Sequence, residues 1–587
     1  MLPTLTTPSP YQHSFTRGMS FVDVIVGVAL AALIFSGLFG AFKLSIELIS
    51  LSKARSGALA LANERMEYLR NLPYTSVGTV GGIPSGPVAQ TETISLNRTV
   101  YTRRTLIVYT DDARDGVGAG DQNGITTDYK KAKVELTWTH RGQVESMFLA
   151  TNIVPKGMET IVNGGTLRIN VVDALNAPLS GASVRVVNPS TSPAINTTIY
   201  SNAAGQVILG GAPVSSNYQI TVSKEDMSTS TTYAASTTNP NPNPRHLTVA
   251  NQQTTTATFA TDYLASKTVW TVLPITLAST TDTFTDTSGL ATLASTSVSA
   301  GSVRLLDFAG VYEPSGNAQS TAISPTYLSS WQSLSFSRAV PSGTDARIRL
   351  MYDPGSGYVP IPDSDLPGNA AGFASSPVSL VSLSTTTYPV VALSATFTTT
   401  NPAQSPSVAD WAITYERGPV PAPNIAFSMR GAKTIGTASG GASIYKYNAS
   451  STSDSSGSRS FPILEWDSYT ITLPGSAYDI AEACPPQPKA LAPSEAATTL
   501  IHIVPNSARS IRVVVHNASG QYLSDATALL TRTGYSQSRT TRVCGQGFFE
   551  NLAAATNYQL RVGKPGYATS TQTVNVSTDH VIDVLLN

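Results

Sequence analysis

The chain opens with two hydrophobic patterns in succession. From Met19 to Phe42 it is almost wholly apolar, broken only by Asp23 and a few Ser and Gly. At 1.5 Å per helical residue, such a run spans the hydrocarbon core of a bilayer. Leu44, Leu48, Leu51, Ala58, Ala62, Met66 and Leu69 then recur at three- and four-residue spacing, an amphipathic helical stripe that Pro73 ends. The pattern predicts one helix over 19–72, about 80 Å long, with its transmembrane portion at 19–42. Ahead of it, residues 1–18 are polar, with Arg17 directly before Gly18. An ordinary secretory signal is excluded, because the apolar run is too long and no A-x-A site directly follows it.

After Pro73 the period changes from helical to alternating. A glycine-rich connection leads into predicted strands at 91–109 and 129–154. Further on the chain repeats itself. GTLRINVVDALNAPLSGASVRV (165–186) is answered by SIRVVVHNASGQYLSDATALL (510–530). NAAGQVILGGAPVSSNYQITV (202–222) is answered by the stretch from Cys544 to Val562. Strands of this length between Gly and Asn turns predict antiparallel sandwiches. IAFSMRG, ASIYKYN and WDSYTITL mark a degenerate further copy over 424–505. Residues 264–417 lack the repeat, and strands such as ARIRLMYD and VADWAITYE predict a jelly-roll-like sandwich. NPNPNPR (239–245) reads as a stiff loop, and RGPVPAPN (417–424) as a linker.

The fold class is thus multidomain α+β: a long N-terminal transmembrane helix with an antiparallel sheet, then several all-β sandwiches. The expected divisions are 1–18, a leader; 19–72, the helix; 73–158, its β domain; 159–263, a first repeat; 264–417, the jelly-roll-like sandwich; 418–505, the degenerate copy; and 506–587, the last repeat.

Charged residues make up only 13% of the 587, and 37 Lys and Arg balance 37 Asp and Glu. No basic face points toward nucleic acid. Cys484 and Cys544 are too few for a thiolate metal site or a disulfide scaffold. They form either one bridge, clamping two neighbouring modules, or two buried thiols. No HExxH, GxSxG or phosphate-binding loop is present, and the six histidines are scattered, so no enzyme is expected and no cofactor is called for. Asp111, Asp112, Asp115, Asp121, Asn123 and Asp128, in and beside the loop DDARDGVGAGDQNG, have oxygens suited to calcium; the alternative is a solvated turn. Trp270, Trp331 and Trp411 are either core residues or a platform for a surface glycan.

An acid inside a membrane span is costly and calls for a role. Arg17-Gly18-Met19, with Asp23 as the fifth residue from Met19, resembles the class III signal of type IV prepilins and pseudopilins. ALANERMEYLRNLPY, followed by DYKKAKVELTW, extends the resemblance across 18–155. It implies cleavage by a prepilin peptidase between Gly18 and Met19, then methylation of Met19. It also implies assembly with other pilin subunits, Asp23 pairing with a neighbour's terminal amine. The chain departs from the family in having Asp where Glu is usual, Met rather than Phe at the first mature position, and a leader poor in basic residues. Without the resemblance, the segment reads as a single-pass anchor with a stray acid.

The repeats resemble carboxypeptidase regulatory-like and Cna-B-type domains. The latter often carry a Lys–Asn isopeptide bond, but Arg168 and Arg512 stand where the lysine is wanted, so none is expected. The expected function is that of a minor or specialised type IV pilin-like subunit, anchored in the inner membrane before assembly and displaying β-domains at the cell surface for adhesion or tip function. The rivals are a membrane-anchored adhesin that binds carbohydrate through 264–417 without polymerising, and a surface hydrolase with accessory β-domains.

Overall fold

The computed structural model describes residues 20–112, 114, 127–156, 163–475 and 477–587. The chain divides into two compact units. One takes in residues 1–225, 229–237 and 241–261; the other takes in 226–228, 238–240 and 262–587.

In the first unit, helix α1 runs unbroken from Phe21 to Asn71. Ser20 caps it: its hydroxyl accepts the Val22 N–H at 3.2 Å, while the Asp23 carboxylate accepts the Ser20 N–H at 3.1 Å. This reciprocal box satisfies amides that have no partner within the helix. At the other end Leu72 turns extended, as a residue before proline tends to. The helix changes character midway. Phe21, Phe35, Phe39 and Phe42 are exposed, and this stretch is long and apolar enough to cross a membrane. From Ala54 onward one face is buried, through Ala58, Leu61, Ala62, Met66 and Leu69. The stripe predicted from Leu44 therefore packs only in its second half; Leu44 and Leu48 stay exposed and continue the bare segment.

That buried face lies on a four-stranded antiparallel meander, Thr91–Leu96, Thr99–Thr110, Tyr129–His140 and Gln143–Ile153. Alternation sorts its residues. Tyr101, Ile107, Val134, Leu136 and Trp138 turn inward to the helix. Tyr101 donates its hydroxyl to the Ala54 carbonyl at 2.8 Å, directly over Gly57. A Cβ at that glycine would lie 2.7 Å from the hydroxyl oxygen, so the close approach requires Gly. The sheet's other face, through Leu106 and Val108, packs on the module that follows. Gln90 ties the two together, donating to the Val80 and Asn196 carbonyls and accepting from Thr197.

This proximal module has an opening strand, Gly165–Val172, paired in parallel with a closing strand, Thr254–Ala260. Gln206–Ala212 flanks the opening strand antiparallel. A second sheet, built on Ser183–Asn188 between Ile195–Tyr200 and Ser215–Ser223, covers it. Leu167, Ile169, Val186, Tyr218 and Phe259 fill the space between.

In the second unit, the distal module repeats this plan. Ile511–Asn517 opens it, His580–Leu586 closes it in parallel, and Gln546–Phe549 flanks the opening strand. Thr527–Arg532 centres the covering sheet.

The middle module has the same plan, but its boundaries correct the division expected at 418. Its opening strand is Ala265–Leu273, parallel to Ala496–Pro505 and antiparallel to Ser458–Leu464. Ala265 and Val269 share a core with Phe427, Met429, Tyr469 and Ile501, not with the sandwich they were assigned to. A two-sheet antiparallel sandwich spanning 276–417 is inserted between the opening strand and the rest of the module. One of its sheets centres on Ser407–Arg417 and the other on Ala392–Thr399. The strand was misplaced because the insertion cuts it off from the sequence that identifies the repeat.

Candidate functional site: the helix start and the clamped modules

Asp23 is the third residue of α1, with its carboxylate turned back on the Ser20 amide. The positive end of the helix dipole favours an anion there. Gly18 and Met19, the expected processing residues, lie outside the described residues, directly ahead of this cap in sequence. In the loop proposed for calcium, Asp111, Asp112 and Asp128 are described, whereas Asp115, Asp121 and Asn123 lie outside the described residues. Buried Asp128 accepts the Asp112 N–H, and Asp112 accepts the Arg114 N–H at 3.2 Å, as a turn-forming aspartate does. Among the described residues no three His, Cys, Asp or Glu side chains are grouped to hold a metal.

Cys484 and Cys544 form a disulfide joining the middle and distal modules, with Cα atoms 5.6 Å apart. Cys484 ends the strand Tyr478–Cys484, which lies at the edge of the middle module's sheet beside the closing strand. An edge strand leaves backbone groups open to pairing. Gln546 of the distal module meets them: its amide donates to the Ala483 carbonyl at 2.6 Å, and its oxygen accepts the Ala483 N–H at 3.2 Å. The side chain thus imitates a neighbouring strand, and it is buried. Arg512, on the distal opening strand, donates to the Ile480 carbonyl at 3.3 Å.

Beside the bridge is a cleft of about 240 Å³ lined by Glu482, His502, Arg539, Arg542 and Glu550 among others. Burial raises the Glu482 carboxyl above its usual range. Burial, with Arg542 nearby, lowers the His502 imidazole to about 4. The two approach to 3.8 Å. This is a polar seam around a covalent link.

The three tryptophans do not form a platform. Trp331 and Trp411 are buried in the core of the inserted sandwich, where Trp331 donates to the Tyr388 carbonyl at 2.9 Å and Trp411 packs edge-on against Phe284. Trp270 belongs to the middle module's opening strand.

Reading the repeats from sequence missed a lysine. Arg168 and Arg512 alternate with the core residues of their strands, but Lys267, on the misplaced opening strand, is fully buried. Its ammonium donates to Thr499 Oγ1 at 2.7 Å on the closing strand. A threonine hydroxyl is not the carboxamide an isopeptide bond needs. Burial lowers the Lys267 pKa to about 8, with Lys489 adding to the effect and Glu495 opposing it. In the first unit Lys130 is likewise lowered to about 8 by burial, its ammonium donating to the Tyr74 and Val77 carbonyls at 2.7 Å.

Between pH 8 and the ordinary lysine value, the unfolded chain holds protons that the folded chain does not, so stability rises with pH there. Above about pH 10 buried Tyr469, whose pKa burial raises, reverses the trend. The second unit should therefore melt higher at pH 9.5 than at pH 7.5, and Lys267→Met should diminish the difference. Scanning calorimetry at the two pH values checks this; equal melting temperatures for the native chain would refute it.

No protein-family model matches the chain, and no curated protein does. Solved structures align with it at low scores. The Bacillus anthracis TIE protein aligns at 10% identity and a TM-score of 0.15, over 85% of this chain and 73% of its own. BcpA, the major pilin subunit of Bacillus cereus, aligns at 7% identity and 0.12, over 72% and 99%. The shaft pilin SpaA from Lactobacillus rhamnosus GG aligns at 10% and 0.12, over 29% and 89%. Scores of this size carry no argument about fold or function.

Proposed function

We propose that the chain is a minor or specialised filament subunit of the type IV pilin kind, cut between Gly18 and Met19 by a prepilin peptidase and displaying its β-modules outside the cell. One observation carries the reading: a single unbroken helix is bare and apolar in its first half and forms the core of an antiparallel sheet in its second. A plain membrane anchor needs only the first half. Burying the exposed half against like helices in a filament would remove its apolar surface from water once the subunit leaves the bilayer. The bulk of β-structure suits a subunit that caps a filament or is scattered within it, and the role is structural rather than catalytic.

Intact-mass measurement and N-terminal sequencing of the protein from its native membrane test the reading. The expected start is methylated Met19. A mature chain that keeps residues 1–18 would overturn the reading and leave a tethered surface protein.

A further inference from the structure

We infer that the β-body is built to carry tension along the chain, with the inserted sandwich held aside from the pull. In all three modules the chain enters on the opening strand and leaves on the closing strand. These two strands are parallel neighbours, joined over seven registered pairs: Thr166–Val172 with Thr254–Ala260, Ser266–Val272 with Ala496–His502, and Ile511–Asn517 with His580–Leu586. A pull on the chain therefore draws the N-terminal end of one strand away from the C-terminal end of its neighbour. The cross-strand hydrogen bonds lie across the direction of pull and resist together, in shear. Had the chain left from the opposite end of the pair, they would break in succession from one end.

The sandwich is placed differently. Its two stems leave the middle module side by side, Val272 opposite Pro421 and Leu273 opposite Val420, and its own first and last strands continue the pairing with Thr276 opposite Arg417. While Ala265–Leu273 stays bound to Ala496–Pro505, tension passes from one to the other and does not reach residues 276–417. The same arrangement in three modules, one of them interrupted by a whole domain, is the observation that carries the inference. It stands apart from the filament reading, and an uncut leader would leave it intact.

Single-molecule force spectroscopy on the full chain tests it. In one form the handles are placed at Lys156→Cys and at the C-terminus, so that the proximal module is loaded in shear. In the second the N-side handle is moved to Leu175→Cys, an exposed position in the turn beyond the opening strand. Val172 and Ala260 are registered partners at that end, so only the proximal module changes from shearing to unzipping. Its rupture force is expected to fall several-fold, with the other ruptures unchanged. Release of residues 276–417, about 500 Å of extended chain, is expected only after the middle module yields. Reduction of the disulfide marks the middle and distal events by lengthening their summed release by about 210 Å, since the cysteines are 60 residues apart. Equal proximal forces in the two forms, or release of the sandwich before the middle module, would overturn the inference.

Discussion

Asp23→Asn chains are expected to be cut after Gly18 and to reach the membrane in normal amounts, yet to be at least tenfold depleted from filaments. The asparagine keeps an oxygen that can accept the Ser20 N–H, so the helix cap survives. What it loses is the charge. Removing one partner of a buried ion pair leaves the other charge uncompensated at a cost of about 3–5 kcal/mol, above the ~1.4 kcal/mol that a tenfold change requires. Asp23→Ala removes the charge and the Asp23 half of the capping box, leaving the Ser20 hydroxyl on the Val22 N–H. Comparing sheared filaments with whole cells by immunoblot separates the two roles. If Asp23→Asn enters filaments normally while Asp23→Ala does not, the acid acts only as a cap and the pairing role is wrong.

The second large effect is expected at the bridge. Replacing Cys484 and Cys544 together by Ala should lower the stability of the joined middle and distal modules by about 4 kcal/mol, the chain-entropy value for a loop of 60 residues. It should also separate their unfolding. With the disulfide intact, the Gln546–Ala483 contacts are held at high effective concentration and the two modules melt together. Without it, calorimetry should resolve two transitions. Gln546→Ala in the bridged protein should give a smaller loss, about 1–3 kcal/mol, because the buried backbone groups of Ala483 are left unmet. Unchanged, coincident transitions in the double alanine variant would show that the modules hold together without the bridge.

The helix was legible because its signals are local. Apolar runs, a three-to-four spacing and a terminal proline depend on residues near one another, and the helix ends within a residue or two of expectation. The opening strand of the middle module was not legible for the opposite reason. ASKTVWTVL is an ordinary strand sequence. Its membership is decided by partners that begin at Ser458 and Ala496, and no period in the sequence links strands so far apart. The core-facing Lys267 was lost with it, since a lysine is recognised as buried only once its strand is placed. Trp331 and Trp411 show a related limit: three dispersed tryptophans suit a platform or a core equally, and only packing decides. The inter-module hydrogen bonds of Gln546 left no signal at all, because a lone glutamine in a β-rich chain has no spacing to read.

The paired stems at Leu273 and Val420 have a consequence for how such a chain can be altered. Neighbouring strands lie about 4.8 Å apart, so the middle module presents a socket of fixed and narrow gauge. Any domain whose two termini emerge side by side meets it without disturbing the registered pairs below. The sandwich is in that sense a cassette. Exchanging residues 276–417 for another domain of matching gauge would give the protein a new face while leaving its framework as it stands.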